Sequence, residues 1–315
     1  MPVIREVLKR RNPERYFSGR RVSNAMARRT TGSHGANNAQ RLVAMLTGFR
    51  KKDERWYAKV QTDNNSVIRR VFWMDPLQRD LYSRYHDVVM NDTTYNTNRF
   101  KMHLNVTTIV DAEGATRVVA CALLSKETRS DFLFVLYHLF KANGNRHPHV
   151  VVSDDDKAFE SALIKLSPNT HMVNCLWHFS KNLSNISCQV GKEEYEKFKN
   201  GFWIAQRTIT RRNFEEEWQR TLDFAFPDLV PGSPLDKRLQ YIYSRSPYWA
   251  KPWVGTLLTL GIQASQRVEK AHHLIKLKAN GNTGLDELFQ VIQKKIADES
   301  IQNSVEYYCL HAADN

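Results

Sequence analysis

The chain has 315 residues and carries 46 Lys and Arg against 33 Asp and Glu, which gives a net charge of +13. A protein this basic tends to bind polyanions, and nucleic acid is the first candidate, although charge alone does not separate DNA from RNA or acidic lipid. The 42% of apolar residues exclude a disordered chain, and the four widely spaced cysteines exclude a disulfide scaffold. The sequence contains no apolar run of the roughly 18 residues that a membrane span requires.

The first part of the chain is basic and mixed in its predicted elements. Residues 1–40 indicate a short helix followed by a Gly- and Asn-containing loop, and residues 39–50 carry apolar side chains at helical spacing. Two strands, at 54–61 and 66–73, are predicted on either side of the turn TDNN. A proline then ends the second strand, and the tract QRDLYSRY predicts a helix.

The middle of the chain has the pattern of a sheet with helices on its faces. Strands are predicted at 87–92, at 102–110 and 116–124 around the turn DAEG, at 149–153 and at 170–176. Helices are predicted after the third, fourth and fifth of these strands. Three antiparallel strands followed by alternating elements predict an α/β domain with a mixed five-stranded sheet.

The remainder of the chain is predicted to be helical. Charged tracts at 190–247, broken by Pro and Gly, indicate an all-helical insertion, and two further helices are predicted at 262–279 and 284–304. We therefore divide the chain into an N-terminal basic flank of helices and strands (1–84), the first part of the core (85–186), the helical insertion (187–255), and a returning core helix with a C-terminal helix (256–305).

Two aspartates follow predicted strands directly. Asp92 ends the tract DVVMND, and Asp154 follows HVVVS. Since open α/β sheets bind ligands at the carboxyl ends of their strands, these carboxylates could share a divalent cation. The alternative is that each aspartate forms a turn or caps a helix, and the tract DDDK does resemble a helix start. Asp155 and Asp156 compete for the ligand role, and we take the first Asp after the strand.

Four segments together resemble the transposase domain of Mutator-like elements (MULE), a branch of the RNase H-like DDE/D superfamily. The upstream segment that ends in VFWMDPLQRDLYSRY is similar to the one that precedes this domain in FAR1-like proteins, which descend from such transposases. The departures from the pattern, Asn91 before the first acid and His103 where proline is common, remove no acid. The four segments are DTTYNTNRFKMHLNVTTIVDAEG (92–114), VVVSDDDKAFESALIKL (150–166), CLWH (175–178) and QASQRVEKAHHLIKLK (263–278).

The resemblance implies an RNase H-like fold, with Asp92, Asp154 and Glu269 as the catalytic acids that hold two Mg²⁺ or Mn²⁺ ions. Two such ions stabilise the attacking and the leaving oxygen in phosphoryl transfer. In the helix that carries Glu269, four side chains follow at i, i+3, i+7 and i+10 and share one face: Gln266, Glu269, His273 and Lys276. An ordinary exposed Glu beside a Lys is the alternative.

Cys175 and His178 form the C-x-x-H motif that accompanies the active site in the family. Two ligands are too few for a zinc site, so zinc is not expected, although His171 and Cys188 could complete a set. The alternative is that Cys175 is buried as a small apolar side chain and that His178 is hydrogen-bonded near a helix start. We assign both residues a position near the site and no catalytic role.

The function implied by the resemblance is that of a DNA transposase catalytic domain. It would hydrolyse a phosphodiester at a transposon end and transfer the freed 3′-OH to target DNA, as a homo-oligomer in the nucleus, with no membrane partner. The helical insertion would contact transposon ends or a second protomer. Basic side chains near Glu269 would hold phosphates and make binding salt-dependent: Lys270, Lys276 and Lys278.

Two alternatives remain open. One is a domesticated, non-catalytic DNA-binding or transcription-regulating protein on the same fold, and the other is an RNase H-like nuclease that acts on RNA or a hybrid. Full-length relatives commonly have zinc-binding domains on both sides, and the sequence contains no such Cys/His cluster. We therefore expect a truncated protein, a fragment, or a core that recognises DNA weakly by itself.

Overall fold

The computed structural model describes residues 38–262 and 266–312. Seven strands form one sheet in the order β1-β2-β5-β4-β3-β6-β7. The strands are β1 (Tyr57–Thr62), β2 (Ile68–Met74), β3 (Val88–Thr94), β4 (His103–Val110), β5 (Thr116–Leu124), β6 (Val150–Ser153) and β7 (His171–Asn174).

Helices precede, connect and follow these strands. They are α1 (38–52), α2 (Pro76–Tyr85), α3 (Arg129–Ala142), α4 (Lys157–Leu166), α5 (Leu176–Ser187), α6 (Lys192–Arg207), α7 (Arg211–Ala225), α8 (Pro234–Ser244), α9 (Ser246–Trp249), α10 (Lys251–Val254), α11 (Gln266–Lys276) and α12 (Leu285–Ala312). The helix predicted within 1–40 falls, up to residue 37, outside the described residues. Within the described ranges, no helix is both long and apolar enough to cross a membrane.

The sheet is mixed, as the sequence predicts. Strands β3, β4 and β5 pair antiparallel, whereas β3, β6 and β7 run parallel to one another. The sheet has seven strands and not the predicted five, because β2 pairs antiparallel with β5 and β1 pairs with β2. Residues 71–74 of β2 are buried on both faces, which requires that this strand lie inside a sheet.

Each face of the sheet has its own apolar core, because successive side chains of a strand point to opposite faces. Val71 and Trp73 pack with α1, α11 and α12 on one face, whereas Phe72 and Met74 pack with α2, α3 and α4 on the other. The helix α11 lies on the first face and contacts β3, β4 and β5. The chain therefore leaves the sheet after β7, forms a long helical segment, and returns to the sheet with α11.

The helices α5 to α10 form that segment, and every regular element described between β7 and α11 is helical. They surround a third core that is rich in aromatic side chains, including Phe198, Phe202, Phe214, Trp218 and Trp249. A separate core means that this helical unit buries most of its apolar side chains by itself. Val254 and Tyr248 also pack against the two cores of the sheet, and a buried cluster of charges adds a polar attachment.

Arg245, at the end of α8, makes that attachment. Its guanidinium lies 2.9 Å from a carboxylate oxygen of Asp155 and 3.0 Å from one of Glu160, and the three side chains are only 6%, 10% and 11% exposed. The hydroxyl of Tyr241 donates to the other oxygen of Asp155 at 2.5 Å, and the ring centroid of Tyr248 lies 3.8 Å from the guanidinium. The helical unit is thus fixed to the segment that directly follows β6.

The carboxylate of Glu160 is held in its charged form. Burial acts to raise the pKa of Glu160, but hydrogen bonds from Arg245, Tyr248 and Lys157 outweigh burial and lower it. A depressed pKa in the folded protein means that this carboxylate stabilises the fold above its unfolded pKa and that the contribution is lost as the pH falls through the folded pKa.

Replacing Arg245 with Met should lower the free energy of unfolding by about 3–5 kcal/mol at pH 7, because it leaves the buried carboxylate of Asp155 without its cation and leaves Glu160 with the cation of Lys157 alone. Urea unfolding measures the loss. Below the unfolded pKa of Glu160, near 4.5, the deficit relative to the unmodified protein should shrink as this carboxylate takes up a proton.

The matched control is Arg212→Met, which breaks an ion pair with Glu216 on the surface of α7, where the two side chains are 87% and 56% exposed. It should change the free energy of unfolding far less than Arg245→Met does, because solvent screens an exposed ion pair. Equal losses in the two variants would contradict the assignment of Arg245 as the anchor.

Candidate functional site

The three consecutive aspartates after β6 have three different surroundings. Asp155 is paired with Arg245. Asp156 caps α4, where its carboxylate accepts hydrogen bonds from the backbone N–H groups of Ala158 and Phe159. Asp154 is left to face the crevice at the end of the strands, which is the position that the sequence analysis gives it.

The parallel register brings Asp154 next to Asp92. Met90 of β3 pairs with Val152 of β6, and each aspartate lies two residues further along its strand direction. Side chains two residues apart share a face, and Met90 and Val152 both pack on the face of α11. Asp92 and Asp154 are therefore level with each other and point toward that helix.

Helix α11 places a histidine against Asp92. His272 Nδ1 lies 3.2 Å from an Asp92 carboxylate oxygen, and the two side chains are 6% and 7% exposed. His273, which the sequence analysis puts on the active face, is exposed instead. The face that turns toward the acids therefore runs through Glu269, His272 and Lys276, because α11 buries Val268, Ala271 and Ile275 in the core beside it.

His178 joins the second and third acids. Its Nδ1 contacts a carboxylate oxygen of Asp154, and its Nε2 lies 3.3 Å from one of Glu269. Burial acts to lower the pKa of His178, but hydrogen bonds with Asp154 and Cys175 and the negative charges of Asp154 and Asp92 raise it to about 10. A charged imidazolium thus lies between two of the three predicted catalytic carboxylates.

The acids influence one another. Burial raises the pKa of Asp154, and the charge of Asp92 adds to the increase. Burial likewise raises the pKa of Glu269, with further increases from Asp92 and Asp154. A cation would relieve the repulsion between these negative charges. Carboxylate oxygens are also the ligands that hard cations prefer, so the residues fit a divalent cation of the Mg²⁺ or Mn²⁺ type.

Glu127 is a fourth acid of this crevice that the sequence analysis misses. It follows the end of β5, lies 3.2 Å from His103 Nδ1, and has a pKa that is raised by burial and by Asp156, Asp92 and Asp154, although His103 acts against the increase. The end of β5 pairs with His103 at the same edge as the end of β3. The search for acids at the carboxyl ends of strands would have identified Glu127 if the antiparallel pairing of β4 with β5 had been known.

Asn91, which departs from the family pattern, forms hydrogen bonds through its side-chain amide. Its amide nitrogen donates to Asn105 at 3.0 Å and to the hydroxyl of Thr107 at 2.9 Å, and Asn105 donates back to it at 2.7 Å. These groups are buried in the sheet. A polar residue at position 91 is thus satisfied by its neighbours on β4.

Cys175 lies next to Asp154 at the start of α5. Ser153 of β6 pairs with Asn174 of β7, so the residues that follow the two strands are neighbours. The Cys175 thiol accepts a contact at 3.5 Å from the backbone N–H of His178, one helical turn later. The potential ligand atoms of Asp154, Cys175 and His178 all lie within 4.8 Å of one another.

The three lysines predicted to contact DNA do not form one cluster. Lys276 lies over the ring of Tyr95, with 5.4 Å from Nζ to the centroid, directly after the end of β3. Lys278 is exposed just beyond α11. Lys270 instead lines a cavity with Arg267 beside the turn between β4 and β5, on the side of α11 away from Glu269.

Comparison with known proteins finds one matching domain family and several similar proteins. Residues 88–182 match the family model of the MULE transposase domain. Protein FAR-RED IMPAIRED RESPONSE 1 of Arabidopsis thaliana is 24% identical over 269 residues, which cover 84% of this chain and 32% of the relative. Protein FAR1-RELATED SEQUENCE 4 of the same plant is 21% identical over 253 residues, which cover 80% of this chain and 34% of the relative.

The chain thus spans about a third of the length of these curated relatives. Residues 88–182 contain Asp92, Asp154, Cys175 and His178, whereas Glu269 lies beyond the match. This chain carries a MULE transposase domain and is related to FAR1-like proteins, so the resemblance predicted from its sequence is confirmed.

Proposed function

We propose that this chain is the DNA-binding core of a nuclear regulatory protein that descends from a MULE transposase and does not cut DNA. The proposal rests on one observation: a ring nitrogen of a histidine contacts each of the three predicted catalytic carboxylates. His272 pairs with Asp92, and His178 lies between Asp154 and Glu269. The chain itself therefore supplies the groups that compensate these acids.

The similar proteins favour the same function. Their names refer to an impaired response to far-red and to sequences related to that protein, and not to transposition. The part of the sheet that runs β5-β4-β3-β6-β7, with three antiparallel strands followed by two parallel ones, supports an RNase H-like fold. A regulatory descendant would keep this fold as a scaffold for DNA binding.

The distribution of charge supports DNA as the partner. Residues 1–37 contain nine Lys and Arg against two Asp and Glu, so they contribute +7 of the net charge of +13. On the described part of the chain, Lys276 and Lys278 add exposed positive charge next to the crevice. Phosphate groups bind such side chains with a strong dependence on salt concentration.

The full chain should bind duplex DNA with an affinity that falls steeply as salt increases. Fluorescence anisotropy over a range of KCl concentrations measures the slope of log K against log salt. Replacing both Lys276 and Lys278 with Gln should reduce that slope by about 2, because each lost phosphate contact contributes about 0.9.

Lys165→Gln is the control for this measurement, since Lys165 is exposed on α4, on the opposite face of the sheet from α11. It should leave the slope unchanged. Failure of the unmodified chain to bind DNA at low salt would overturn the proposal of a DNA-binding core.

Catalysis is the second candidate function, and the convergence of three carboxylates favours it. Asp92 and Asp154 are level on adjacent strands, and Glu269 reaches the same crevice from α11. Divalent cations held there would supply charge stabilisation for a phosphodiester under attack. His178 would have to release Asp154 and Glu269, and Lys276 would orient phosphate beside Tyr95. In this case two copies of the chain would act together at transposon ends.

The two candidates separate in a cleavage assay with end-containing DNA and Mg²⁺ or Mn²⁺. Regulation without cutting predicts DNA binding and no nicking above the level of Asp92→Ala. Metal-dependent nicking that Asp92→Ala abolishes would contradict our proposal in favour of catalysis. An RNA–DNA hybrid in parallel tests for an RNase H-like nuclease, which would cut the hybrid and spare the duplex.

A further inference from the structure

The start of α5 holds three potential metal ligands of mixed hardness, one carboxylate, one thiol and one imidazole. We propose that Asp154, Cys175 and His178 bind a thiophilic divalent ion, with zinc as the best match, in a site that leaves the fourth position open. A thiolate and an imidazole select zinc over Mg²⁺. Three protein ligands with one open position is the arrangement of a zinc ion that still accepts an exogenous ligand.

The backbone brings the three ligands together. Val152 of β6 pairs with Val173 of β7, so the residues two positions further on, Asp154 and Cys175, leave adjacent strand ends on the same face of the sheet. His178 follows Cys175 by three residues, which returns its side chain to the same side of α5 after one turn. The sequence offers only the C-x-x-H pair, and parallel strand pairing adds the third ligand.

The distances are close to those of a filled site. The ligand atoms lie within 4.8 Å of one another. Around a tetrahedral zinc ion, with bonds of about 2.0–2.3 Å, such atoms stand roughly 3.3–3.8 Å apart. Shifts of about 1 Å would therefore fit the trio to an ion, with Nδ1 of His178 moving away from its contact with Asp154, and rotation of these side chains can supply such shifts.

The other nitrogen of His178 is already positioned as it is in many metal sites. Its Nδ1 faces Asp154, whereas its Nε2 lies 3.3 Å from Glu269. A histidine that binds a metal through one ring nitrogen commonly donates the other N–H to a carboxylate, which fixes the ring. Glu269 would hold His178 in this way.

The charges and protons balance. The Cys175 thiolate and the Asp154 carboxylate neutralise a divalent ion. Binding displaces the thiol proton of Cys175 and the Nδ1 proton of the imidazolium, and both protons go to solvent. The ion would take over from the imidazolium the role of compensating Asp154.

Cobalt tests the proposal, because a thiolate bound to Co²⁺ gives an intense near-ultraviolet charge-transfer band. The full chain, freed of metal with a chelator, is titrated with Co²⁺ in the absence of DNA. We expect the band to saturate at one equivalent. Cys175→Ser should abolish it, whereas Cys188→Ser, which changes the exposed cysteine at the other end of α5, should leave it unchanged. Glu269→Gln should weaken Co²⁺ binding by about 10-fold or more.

Absence of the band in the unmodified chain, or its persistence in Cys175→Ser, would overturn the proposal. If Cys175→Ser does not fold, X-ray absorption of the unmodified chain loaded with zinc decides the matter without a variant. One sulfur at about 2.3 Å supports the site, and a shell of nitrogen and oxygen alone contradicts it. These readouts involve no DNA, so they stand apart from the tests of DNA binding and nicking.

Discussion

The parallel register of β3, β6 and β7 is the constraint on which the crevice depends. Met90, Val152 and Val173 are paired across the three strands. Strands β6 and β7 end one residue later and β3 continues to Thr94, and in each case the residue two positions further on points to the same face. Asp92, Asp154 and Cys175 are therefore neighbours through backbone hydrogen bonds alone, before any side chain makes a contact. A slip of one residue in this register would turn a functional side chain to the opposite face.

This constraint creates an electrostatic problem that other elements resolve. Asp92, Asp154 and Glu269 bring three carboxylates into one small space; burial raises the pKa of Asp154 and of Glu269, and the charge of Asp92 adds to both increases. His178 from α5 and His272 from α11 approach the acids from different sides. Arg245 pairs with Asp155, the residue that follows Asp154, and so holds this carboxylate away from the crevice. The orientation of Asp154 thus depends on two helices of the segment between β7 and α11, namely α5 and α8, as well as on the sheet.

Local patterns in the sequence predict most of the elements and the positions of the acids. Asp92 and Asp154 can be found because a strand that ends in a carboxylate is visible in the sequence. The partners cannot be found in this way, since His272 and His273 are adjacent on α11 and only the packing of Val268, Ala271 and Ile275 decides which of them is turned inward. Glu127 and Arg245 depend on contacts between segments that are distant in the chain. The strands β1 and β2 are predicted as elements, but their membership of the main sheet depends on pairing with β5.

The presence of the three acids does not by itself indicate catalysis, because the same carboxylates contact the buried His272 and the partly buried His178. Among the described residues, His272 Nε2 has no hydrogen-bond partner, so the contact of Nδ1 with Asp92 is the polar interaction that this buried ring keeps. Loss of Asp92 would leave the imidazole without it, and buried polar groups that lose their partners destabilise a fold. Loss of Asp154 or Glu269 would likewise remove a carboxylate that stabilises the charged His178. A structural role of this kind would retain all three acids in a descendant that does not cut DNA, and for this reason the bound metal and the cleavage products, rather than the presence of the acids, decide between the two functions.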